Sequence, residues 1–566
     1  MNGIYRVYLV YALLLSIILG GCVSAQRGEV TSAQGANGVV VASHPIAAAI
    51  GLDVLLAGGN AVDAAVATGL ALGVVDQFNS GIGGGGFIVI RMADGAIYAI
   101  DGREAAPAAA SRDMYLRSGK FDPSLSQASL LAVGVPGILA LYGKALELAG
   151  SKSFSELISP SIEVAEQGFG LDEYYVSRYN KAVEELNKDA ASAEVYFRSD
   201  GSHLKVGDVL KQPDLARTYK RLEQEGVDYF YHGDFAERLT EYMNESGGLI
   251  TVDDMANYSA KLREPIIGTY HGCEIIGMPP PSSGGVHITQ ILNMLEASSI
   301  LEGKNDWDVG AISWTARFMR KAFEDRAAYL GDTDFYPVPV GRLTSKDYGE
   351  SCVKAIMGET PSFVESRSES GLALGHTTNI CVIDRWGNAV AINQTVNLTF
   401  GAKITLPGTG VILNNEMDDF SAQPGVPNAF GLIGSEANAI APGKRPLSSM
   451  SPTIVVRGDK PILILGGAGG PTIITAVLQT IIDVLDFNQE LSTAMAQPRF
   501  HHQFKPDVLV MEHEMSTWTM LRLLLKGQVS VRRPELGRVN AIAWSDSRQM
   551  YIGMPDPRGG GGAVAH

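Results

Sequence analysis

Residues 371–384 read GLALGHTTNICVID, and this stretch decides how the chain is organised. Two adjacent threonines, Thr377 and Thr378, follow a Gly-His pair and precede the apolar run NICVID. Threonine favours β-strands, so one interpretation is simply the start of a buried strand. The other is cleavage of the chain before Thr377, because a terminal threonine carries both a hydroxyl nucleophile and an α-amine base with a pKa of about 8.

The segments on either side of the threonines differ in character. Upstream, residues 345–375 are polar and include GETPSFVESRSESGLALG, which is typical of a mobile, cleavable linker. Downstream, residues 377–396 form two alternating apolar runs joined by DRWGN at 384–388, the pattern of a β-hairpin. A threonine that begins a strand directly after such a linker is well placed for cleavage.

The N-terminal half predicts strands and helices packed closely together. Val39–Ala42 reads as a short strand, a helix runs from about Pro45 to the Gly58-Gly59 pair, and Asn60 caps a second apolar helix. The run Gly83–Gly86 leads into a hairpin and lacks a following GK[ST], so it is not a phosphate-binding loop.

The rest of the chain continues this mixture of helices and strands. Residues 110–345 are mostly helical, with amphipathic stretches such as SFSELISPSIEVAEQGF. SSMSPTIVV and PILILGGAGG form a strand pair, and PTIITAVLQTIIDVLDF forms a long apolar helix. The glycine-rich tail GGGGAVAH is expected to be disordered, unless a partner surface orders it. The whole is a layered α/β structure.

Composition describes a large, acidic globular protein. The 566 residues are 46% hydrophobic and 19% charged, an ordinary balance for a globular protein. The length is too great for one simple core of common size, so we expect two domains or one large multilayered unit. The 45 basic and 61 acidic residues give a formal net charge of −16. A nucleic-acid partner is therefore excluded, because phosphate binding needs a basic face.

Cysteine and histidine do not form a metal site or a disulfide framework. The chain has four cysteines, Cys22, Cys273, Cys352 and Cys381. None forms a CxxC pair, and Cys381 lies in an apolar run that predicts a buried small hydrophobe. The adjacent His501 and His502 do not share a face on a strand or helix, so both are interpreted as structural. We expect no metal or other cofactor.

The N-terminus resembles a targeting segment. MNGIYRVYLVYALLLSIILGGCVSAQ places one early Arg6 before an apolar stretch and then small residues, which predicts a signal peptide over 1–25. A membrane anchor is the competing interpretation, but the stretch is short for a span. LGGC ending at Cys22 resembles a lipobox, whereas VSA before Gln26 resembles an ordinary cleavage site, and both stay open. We expect export to the bacterial periplasm or lipid anchoring at the cell envelope.

Many short motifs occur together in this chain in one order. They are GGNAVDAAVA, GIGGGGF, GREAAPAAASRDM, AVGVPG, MPPPSSGG, DRAAYLGD, TT, NNEMDDFSAQPGVPN, KRPLSSMSPT, GGAGG and PRFHHQ. Through them the chain resembles the γ-glutamyltranspeptidases, members of the N-terminal-nucleophile hydrolase superfamily, from about residue 36 to 557.

The resemblance implies a fold and an activity. The fold is an αββα sandwich, made as one proenzyme that cuts itself between His376 and Thr377. The large subunit would be 26–376 and the small subunit 377–566, held together as a heterodimer. The expected reaction cleaves glutathione and other γ-glutamyl amides through a γ-glutamyl ester on Thr377, which water, an amino acid or a peptide resolves.

The resemblance also assigns site residues. Arg103 would grasp the substrate α-carboxylate, a task that suits a planar, bidentate cation. Ser448 and Ser449 would donate hydrogen bonds to the same carboxylate. The remaining residues with assigned roles are Asn397, Glu416 and Asp419 for the α-ammonium, Gly469 and Gly470 for the oxyanion, and Thr395, which orients Thr377.

Three positions depart from well-known members of the family. The lid loop SAQPGVPNAFGLIG carries Phe430 where a tyrosine is usual, so it loses a hydroxyl. Asn379 stands where relatives have histidine, which agrees with the α-amine acting as the base. Glu416 stands where many bacterial members have glutamine, and a carboxylate adds pH dependence to ammonium binding.

Other functions stay open at this point. A related acylase acting on cephalosporin-type or glutaryl amides shares the scaffold but does not need the ammonium-binding residues. An enzyme that attaches or trims polyglutamate is a second possibility, although a covering lid disfavours long polymers. A binding module without activity is the third, and it predicts an uncut chain.

Overall fold

The structure is a computed structural model that describes residues 31–358 and 376–566. The predicted signal peptide and lipobox, and the part of the linker directly before His376, lie outside these residues. Among the described residues, no helix is long and apolar enough to cross a membrane.

The described residues contain helices and strands throughout. The strands are β1 Ala33–Gly35, β2 Gly38–Ala42, β3 Gly85–Arg91, β4 Ile97–Gly102, β5 Leu116–Arg117, β6 Lys120–Phe121, β7 Phe169–Gly170, β8 Val209–Leu210, β9 Lys261–Arg263, β10 Ile266–Tyr270, β11 Cys273–Gly277, β12 Thr378–Asp384, β13 Ala389–Thr395, β14 Thr405–Leu406, β15 Val411–Ile412, β16 Thr453–Arg457, β17 Lys460–Ala468, β18 Phe500–His501, β19 Leu509–Glu512, β20 Ser530–Arg533, β21 Arg538–Ser545, β22 Met550–Met554 and β23 Gly562–Ala565. The helices are α1 Pro45–Leu56, α2 Ala61–Val75, α3 Pro123–Gln127, α4 Ile138–Ala149, α5 Phe154–Gln167, α6 Glu173–Tyr179, α7 Val183–Leu186, α8 Ala190–Tyr196, α9 Pro213–Glu225, α10 Asp228–Tyr231, α11 Asp234–Ser246, α12 Val252–Ala256, α13 Gly284–Ser298, α14 Val309–Tyr329, α15 Val340–Leu343, α16 Lys346–Gly358, α17 Thr472–Leu485, α18 Leu491–Ala496 and α19 Thr517–Leu525.

Two seven-stranded sheets form the centre of the fold. One has the order β1-β22-β21-β17-β16-β11-β10, and the other has the order β23-β2-β12-β13-β3-β4-β9. Helices α1, α2 and α4 share a core with the second sheet, whereas α13, α14 and α17 share a core with the first. The resulting helix–sheet–sheet–helix order is the expected αββα sandwich.

Strand β12 shows why residues 380–383 are all apolar. Ile380 and Val382 belong to the core under the helices, whereas Cys381 and Ile383 belong to the core between the sheets. Successive side chains of a strand point to opposite faces, and both faces of this strand are covered, so every position is buried. Cys381 is thus the buried small residue that its context predicts.

The hairpin of β12 and β13 sets the position of the chain entering the site. Its turn carries Gly387 at φ +92°, and the Asp384 carboxylate accepts hydrogen bonds from the backbone amides of Trp386 and Asn388. The antiparallel register pairs Thr378 with Gln394. Because the register is antiparallel, Thr377 comes to lie opposite Thr395 at the open end of the hairpin.

Several local predictions, most of them in the N-terminal part of the chain, are confirmed. Asn60 caps α2 with a reciprocal capping box, in which its side chain accepts from the amide of Asp63 and the Asp63 carboxylate accepts from the amide of Asn60. The run Gly83–Gly86 leads into β3 rather than into a helix. The strand pair β16–β17 and the helix α17 also form where the sequence predicts them.

Two predictions were wrong. The tail is not disordered, because Gly562–Ala565 forms a strand that pairs with β2 and covers an edge of the sheet that would otherwise expose unpaired backbone groups. The start of the predicted linker is not irregular, because Lys346–Gly358 forms a helix that buries Gly349, Cys352 and Val353. Its polar residues occupy the exposed face of that helix.

The glycine run packs directly on the end of β13. A Cβ atom at Gly84 would lie 2.0 Å from the backbone carbonyl oxygen of Thr395. We expect Gly84→Ala to displace this segment and to destabilise the fold by about 1–3 kcal/mol, the usual cost of overpacking. Gly341→Ala, where nothing lies within 4 Å of the new Cβ, is the control. Thermal unfolding measures both, and equal melting temperatures for the two variants would contradict the prediction.

Candidate active site

Two threonines meet at the open end of the β12–β13 hairpin. The Thr377 hydroxyl donates to the Thr395 Oγ1 at 3.3 Å, and the Thr395 hydroxyl donates to the carbonyl oxygen of His376 at 2.9 Å. The backbone amide of Asn397 also donates to Thr395 Oγ1, at 2.9 Å. Thr395 therefore connects the predicted nucleophile to the carbonyl of the peptide bond that precedes it.

Arg103 lies at the end of β4 with its side chain almost fully buried. Its guanidinium forms ion pairs with Glu416 and, at 2.5 Å, with Asp419, while its Nε donates to the carbonyl oxygen of Pro446 at 3.1 Å. The predicted carboxylate-binding cation is therefore paired with both of the predicted ammonium-binding acids. A bound α-amino acid group would exchange these contacts for contacts with its own carboxylate and ammonium.

A third carboxyl group, that of Glu104, lies beside this cluster. It is fully buried, its Oε2 is 3.8 Å from Arg103 Nη1, and neither oxygen has a hydrogen-bond partner among the described residues. Burial raises the pKa of Glu104 to about 7, and Arg103 opposes the rise. The sequence reasoning missed Glu104, although its position next to Arg103 in GREAAP was the available signal.

Burial also dominates the titration of the two paired acids. It raises the pKa of Glu416 well above its ordinary value and raises that of Asp419, while the positive charge of Arg103 lowers both. The neighbouring carboxylates of Glu104 and Asp419 add to the rise at Glu416. The site thus gathers carboxyl groups whose ionisation is opposed by burial and favoured by the positive charge of Arg103.

Ser448 and Ser449 are held by the segment that contains MPPPSSGG. The backbone of Ser448 exchanges hydrogen bonds with this segment, donating to the Pro281 carbonyl at 2.7 Å and accepting from the Ser283 amide at 2.8 Å. The Ser448 hydroxyl accepts from the Met450 amide at 3.1 Å. Both serine side chains line the same cavity as Thr377.

The predicted oxyanion donors lie between β17 and α17. Gly469 has φ +135° and Gly470 has φ +59°, conformations that side chains disfavour. In the part of the chain that the structure describes, neither amide donates to a protein acceptor. Gly470 lines the cavity and Gly469 does not, so the two amides flank its edge.

The lid loop covers the cavity. A Cβ atom at Gly470 would lie 2.9 Å from the Phe430 ring, and the Asp418 carboxylate and the Asp419 carboxylate accept hydrogen bonds from Ala429 and Asn428 of the lid. The backbone carbonyl of Phe430 fixes the lid loop by accepting a hydrogen bond from the Gln503 side-chain amide at 3.1 Å. The loss of the tyrosine hydroxyl is therefore compatible with a closed lid.

The cavity brings the predicted site residues together. Its lining is Arg103, Thr377, Thr395, Asn397, Glu416, Asp419, Phe430, Leu432, Ser448, Ser449, Met450, Gly470 and Ile473. About 20 Å³ is open to a water-sized sphere, roughly the room for one water molecule. A glutamyl group therefore requires movement of the lid and of the Arg103 contacts.

The other histidine and asparagine positions have structural roles. Asn379 lies between the sheets, where its amide donates to the Ile392 carbonyl at 2.7 Å, and it does not line the cavity. His501 contacts Thr475 and Gln503, and His502 contacts Asp507 at 3.2 Å. Within residues 31–358 and 376–566 no group of three or more His, Cys, Asp or Glu residues could hold a metal ion.

The fold and the residues around the cavity define a sandwich-type hydrolase of the kind that the sequence predicts. The family model described as Gamma-glutamyltranspeptidase matches residues 47–566. The chain belongs to this family, and it is an enzyme of that type.

Individual relatives agree with this assignment. The chain is 41% identical to the glutathione hydrolase proenzyme of Escherichia coli (strain K12), over 92% of this chain and 90% of that protein. It is 38% identical to the acylase ACY 1 proenzyme of Pseudomonas sp. (strain SE83), over 91% of each chain. The cephalosporin acylase structure from Bacillus halodurans superimposes with a TM-score of 0.83, covering 97% of this chain and 99% of that one, and at 24% identity it supports the fold alone.

Thr395 generates a test of the predicted cleavage before Thr377. Thr395→Val keeps the shape of the side chain but removes its hydroxyl, the donor to the His376 carbonyl. We expect cleavage to slow on the order of a hundredfold, the usual cost of losing one donor to a developing oxyanion. Denaturing gels of the purified chain over time measure this.

Thr480→Val is the matched control, because Thr480 is buried in α17 and its hydroxyl donates to the Ala476 carbonyl within its own helix. Cleavage of the Thr395→Val variant at the rate of this control would exclude a role for the Thr395 hydroxyl.

Proposed function

We propose that the protein is a γ-glutamyl transferase and hydrolase that acts on glutathione and other γ-glutamyl amides. The observation that carries the proposal is the meeting, in one cavity, of the Thr377–Thr395 pair with the buried Arg103 and the carboxylates paired with it, those of Glu416 and Asp419. Opposite charges at this spacing suit the carboxylate and the ammonium of an α-amino acid. The glutathione hydrolase relatives support the same substrate class.

Cleavage before Thr377 creates the active nucleophile. The Thr377 hydroxyl attacks the His376 carbonyl carbon, and its proton passes through Thr395 Oγ1 to the peptide nitrogen. The C–N bond then breaks, and this nitrogen becomes the new α-amine while the His376 acyl group stays on the Thr377 oxygen as an ester. Water then hydrolyses the resulting ester and releases the His376 carboxylate. The products are a large subunit that ends at His376 and a small subunit that begins at Thr377.

The same residues then act on substrate. The Thr377 α-amine takes the hydroxyl proton while the oxygen attacks the γ-carbonyl, and the amides of Gly469 and Gly470 stabilise the oxyanion. The amine returns the proton to the departing nitrogen, which leaves a γ-glutamyl ester. Water gives free glutamate, and the amine of an amino acid or peptide gives a new γ-glutamyl amide.

Thr377→Ala tests both steps. This variant lacks the nucleophile, so we expect an intact chain and loss of activity toward γ-glutamyl p-nitroanilide. Intact mass of the purified protein and release of p-nitroaniline are the two measurements. Thr480→Val should split and act as the wild type does, and a Thr377→Ala protein that still splits would exclude the proposed cleavage.

An acylase function is the second candidate, favoured by the 38% identity to the acylase ACY 1 proenzyme. A glutaryl substrate lacks the α-ammonium, so it offers no cation to Glu416 and Asp419 while its carboxylate competes with them for Arg103. Comparing kcat/KM for γ-glutamyl and glutaryl p-nitroanilide decides between the two functions. Preference for the glutaryl compound would establish the acylase and reject the γ-glutamyl proposal.

Glu416 makes substrate capture dependent on pH. An acid with a raised pKa takes up its proton at higher pH than an ordinary glutamic acid, so as pH falls Glu416 becomes neutral and stops attracting the ammonium. We expect Glu416→Gln to move the acid limb of the kcat/KM profile for γ-glutamyl p-nitroanilide to lower pH, since one charge and its repulsion of Asp419 are gone. Glu436→Gln, at an exposed ion pair, is the control. An unchanged acid limb in Glu416→Gln would contradict this role.

We also propose that the protein is exported before it acts. The signal-peptide pattern over 1–25 supports this proposal, and the lipobox at Cys22 and the site before Gln26 remain its two variants. N-terminal sequencing and intact mass of the mature fragments distinguish a lipidated Cys22 from a start at Gln26. The same measurement reports whether Thr377 begins the small fragment.

A further inference from the structure

Arg326, in helix α14, is a buried cation without a carboxylate partner. Its side chain is 5% exposed, and no ion pair involves it among the described residues. Burial lowers the pKa of its guanidinium to about 10, while the nearby charge of Asp419 opposes the fall without a direct contact, so Arg326 stays charged at neutral pH. Burying a charge that no carboxylate contacts directly costs free energy. The presence of Arg326 at this position therefore suggests a functional role for its positive charge.

The guanidinium of Arg326 contacts two hydroxyl groups. Its Nε donates to Ser283 Oγ at 3.1 Å, and its Nη2 donates to Ser449 Oγ at 3.3 Å. Ser283 in turn donates to the Ser448 carbonyl at 2.7 Å. Arg326 comes from DRAAYLGD and Ser283 from MPPPSSGG, so two motifs without an assigned role converge behind the two serines of the cavity.

These contacts decide the direction in which the serine protons point. A hydroxyl has one proton to donate, and its oxygen can accept. Ser449 Oγ accepts from Arg326, Ser448 Oγ accepts from the Met450 amide, and within the described residues neither hydroxyl donates to a protein acceptor. Both protons are therefore available to an anion in the cavity that these side chains line.

We propose that Arg326 is a positioning residue for recognition of the substrate α-carboxylate, which it serves by fixing the Ser449 hydroxyl as a donor. This proposal rests on the proposed γ-glutamyl function and extends it from Arg103 to a second arginine. Arg326 does not line the cavity, so it acts through Ser449 and through its charge rather than by touching the substrate.

The charges around the cavity agree with different roles for Arg103 and Arg326. Arg103 is already paired with Glu416 and Asp419, whereas Arg326 keeps its charge uncompensated by direct contact. A substrate with both α-groups adds an ammonium for the acids and a carboxylate for the two arginines. A substrate without the α-carboxylate has no acceptor for the Ser449 hydroxyl and no anion for Arg326 to attract, so its binding should not depend on these two residues.

The experiment compares two substrates that differ only in the α-carboxylate. The probes are γ-glutamyl p-nitroanilide and 4-aminobutyryl p-nitroanilide, and the variants are Arg326→Met, Arg326→Lys, Ser449→Ala and the double variant Arg326→Met/Ser449→Ala. We expect Arg326→Met to lower kcat/KM for the γ-glutamyl substrate about 10- to 100-fold, the range for a hydrogen bond to a charged group. The 4-aminobutyryl substrate should change less than about threefold, and Arg326→Lys should recover part of the loss.

The controls separate positioning from folding. Arg317→Met makes the same change in the same helix, where Arg317 lies over the Trp314 ring, and should leave both substrates unaffected. On the Ser449→Ala background, Arg326→Met should cost clearly less than it does alone, because the two act as a unit.

Each result has a defined meaning. Equal losses of Arg326→Met on both substrates, or full additivity with Ser449→Ala, would overturn the proposal and leave a structural role. If Arg326→Met does not yield folded, split protein, Arg326→Lys decides by the same substrate comparison. A wild-type enzyme that does not cleave the γ-glutamyl substrate would instead reject the proposed function on which this inference rests.

Discussion

The register of the β12–β13 hairpin is the constraint on which the active site depends. Pairing of Thr378 with Gln394 brings Thr377 opposite Thr395, and a shift by one residue would turn each of these side chains to the other face of the sheet. Both faces of β12 are buried in separate cores, so such a shift would also exchange the contacts of Ile380 and Cys381. The packing of the sandwich thus maintains the contacts among the Thr377 hydroxyl, the Thr395 hydroxyl and the His376 carbonyl.

The charged groups around Arg103 are the second feature that shapes the site. Arg103 lies among the carboxyl groups of Glu104, Glu416 and Asp419, all in an interior that raises their pKa values. Arg103 pairs with Glu416 and Asp419, and the cavity that these residues line has room for roughly one water molecule. The α-ammonium and α-carboxylate of an amino acid together can replace these contacts without changing the net charge of the site. A substrate that lacks either the ammonium or the carboxylate cannot. Selectivity on this view follows from electrostatic exchange rather than from shape alone.

Much of the fold could be predicted from the sequence because its signals are local. The turn at 384–388, the Asn60 cap and the period-two apolar runs each specify an element through its own backbone and nearest neighbours. The tail strand could not be read in this way, since GGGGAVAH forms a strand only because β2 offers an unpaired edge. The helix Lys346–Gly358 was missed because its polar face dominates the local composition.

For the site, the sequence by itself determined most of the residues that meet in the cavity. The sequence alone indicated Thr377 after a predicted cleavable linker and the hairpin that follows it. It also indicated the motifs around Arg103, Glu416 and Ser448. Only the tertiary structure decided how these groups are paired: that Arg103 holds the two acids, that Glu104 lies behind them, and that Arg326 reaches Ser449 from a distant helix. The physical reason is that local hydrogen bonding and hydrophobic period act along the chain. Ion pairs and hydroxyl orientation depend instead on distances between segments hundreds of residues apart.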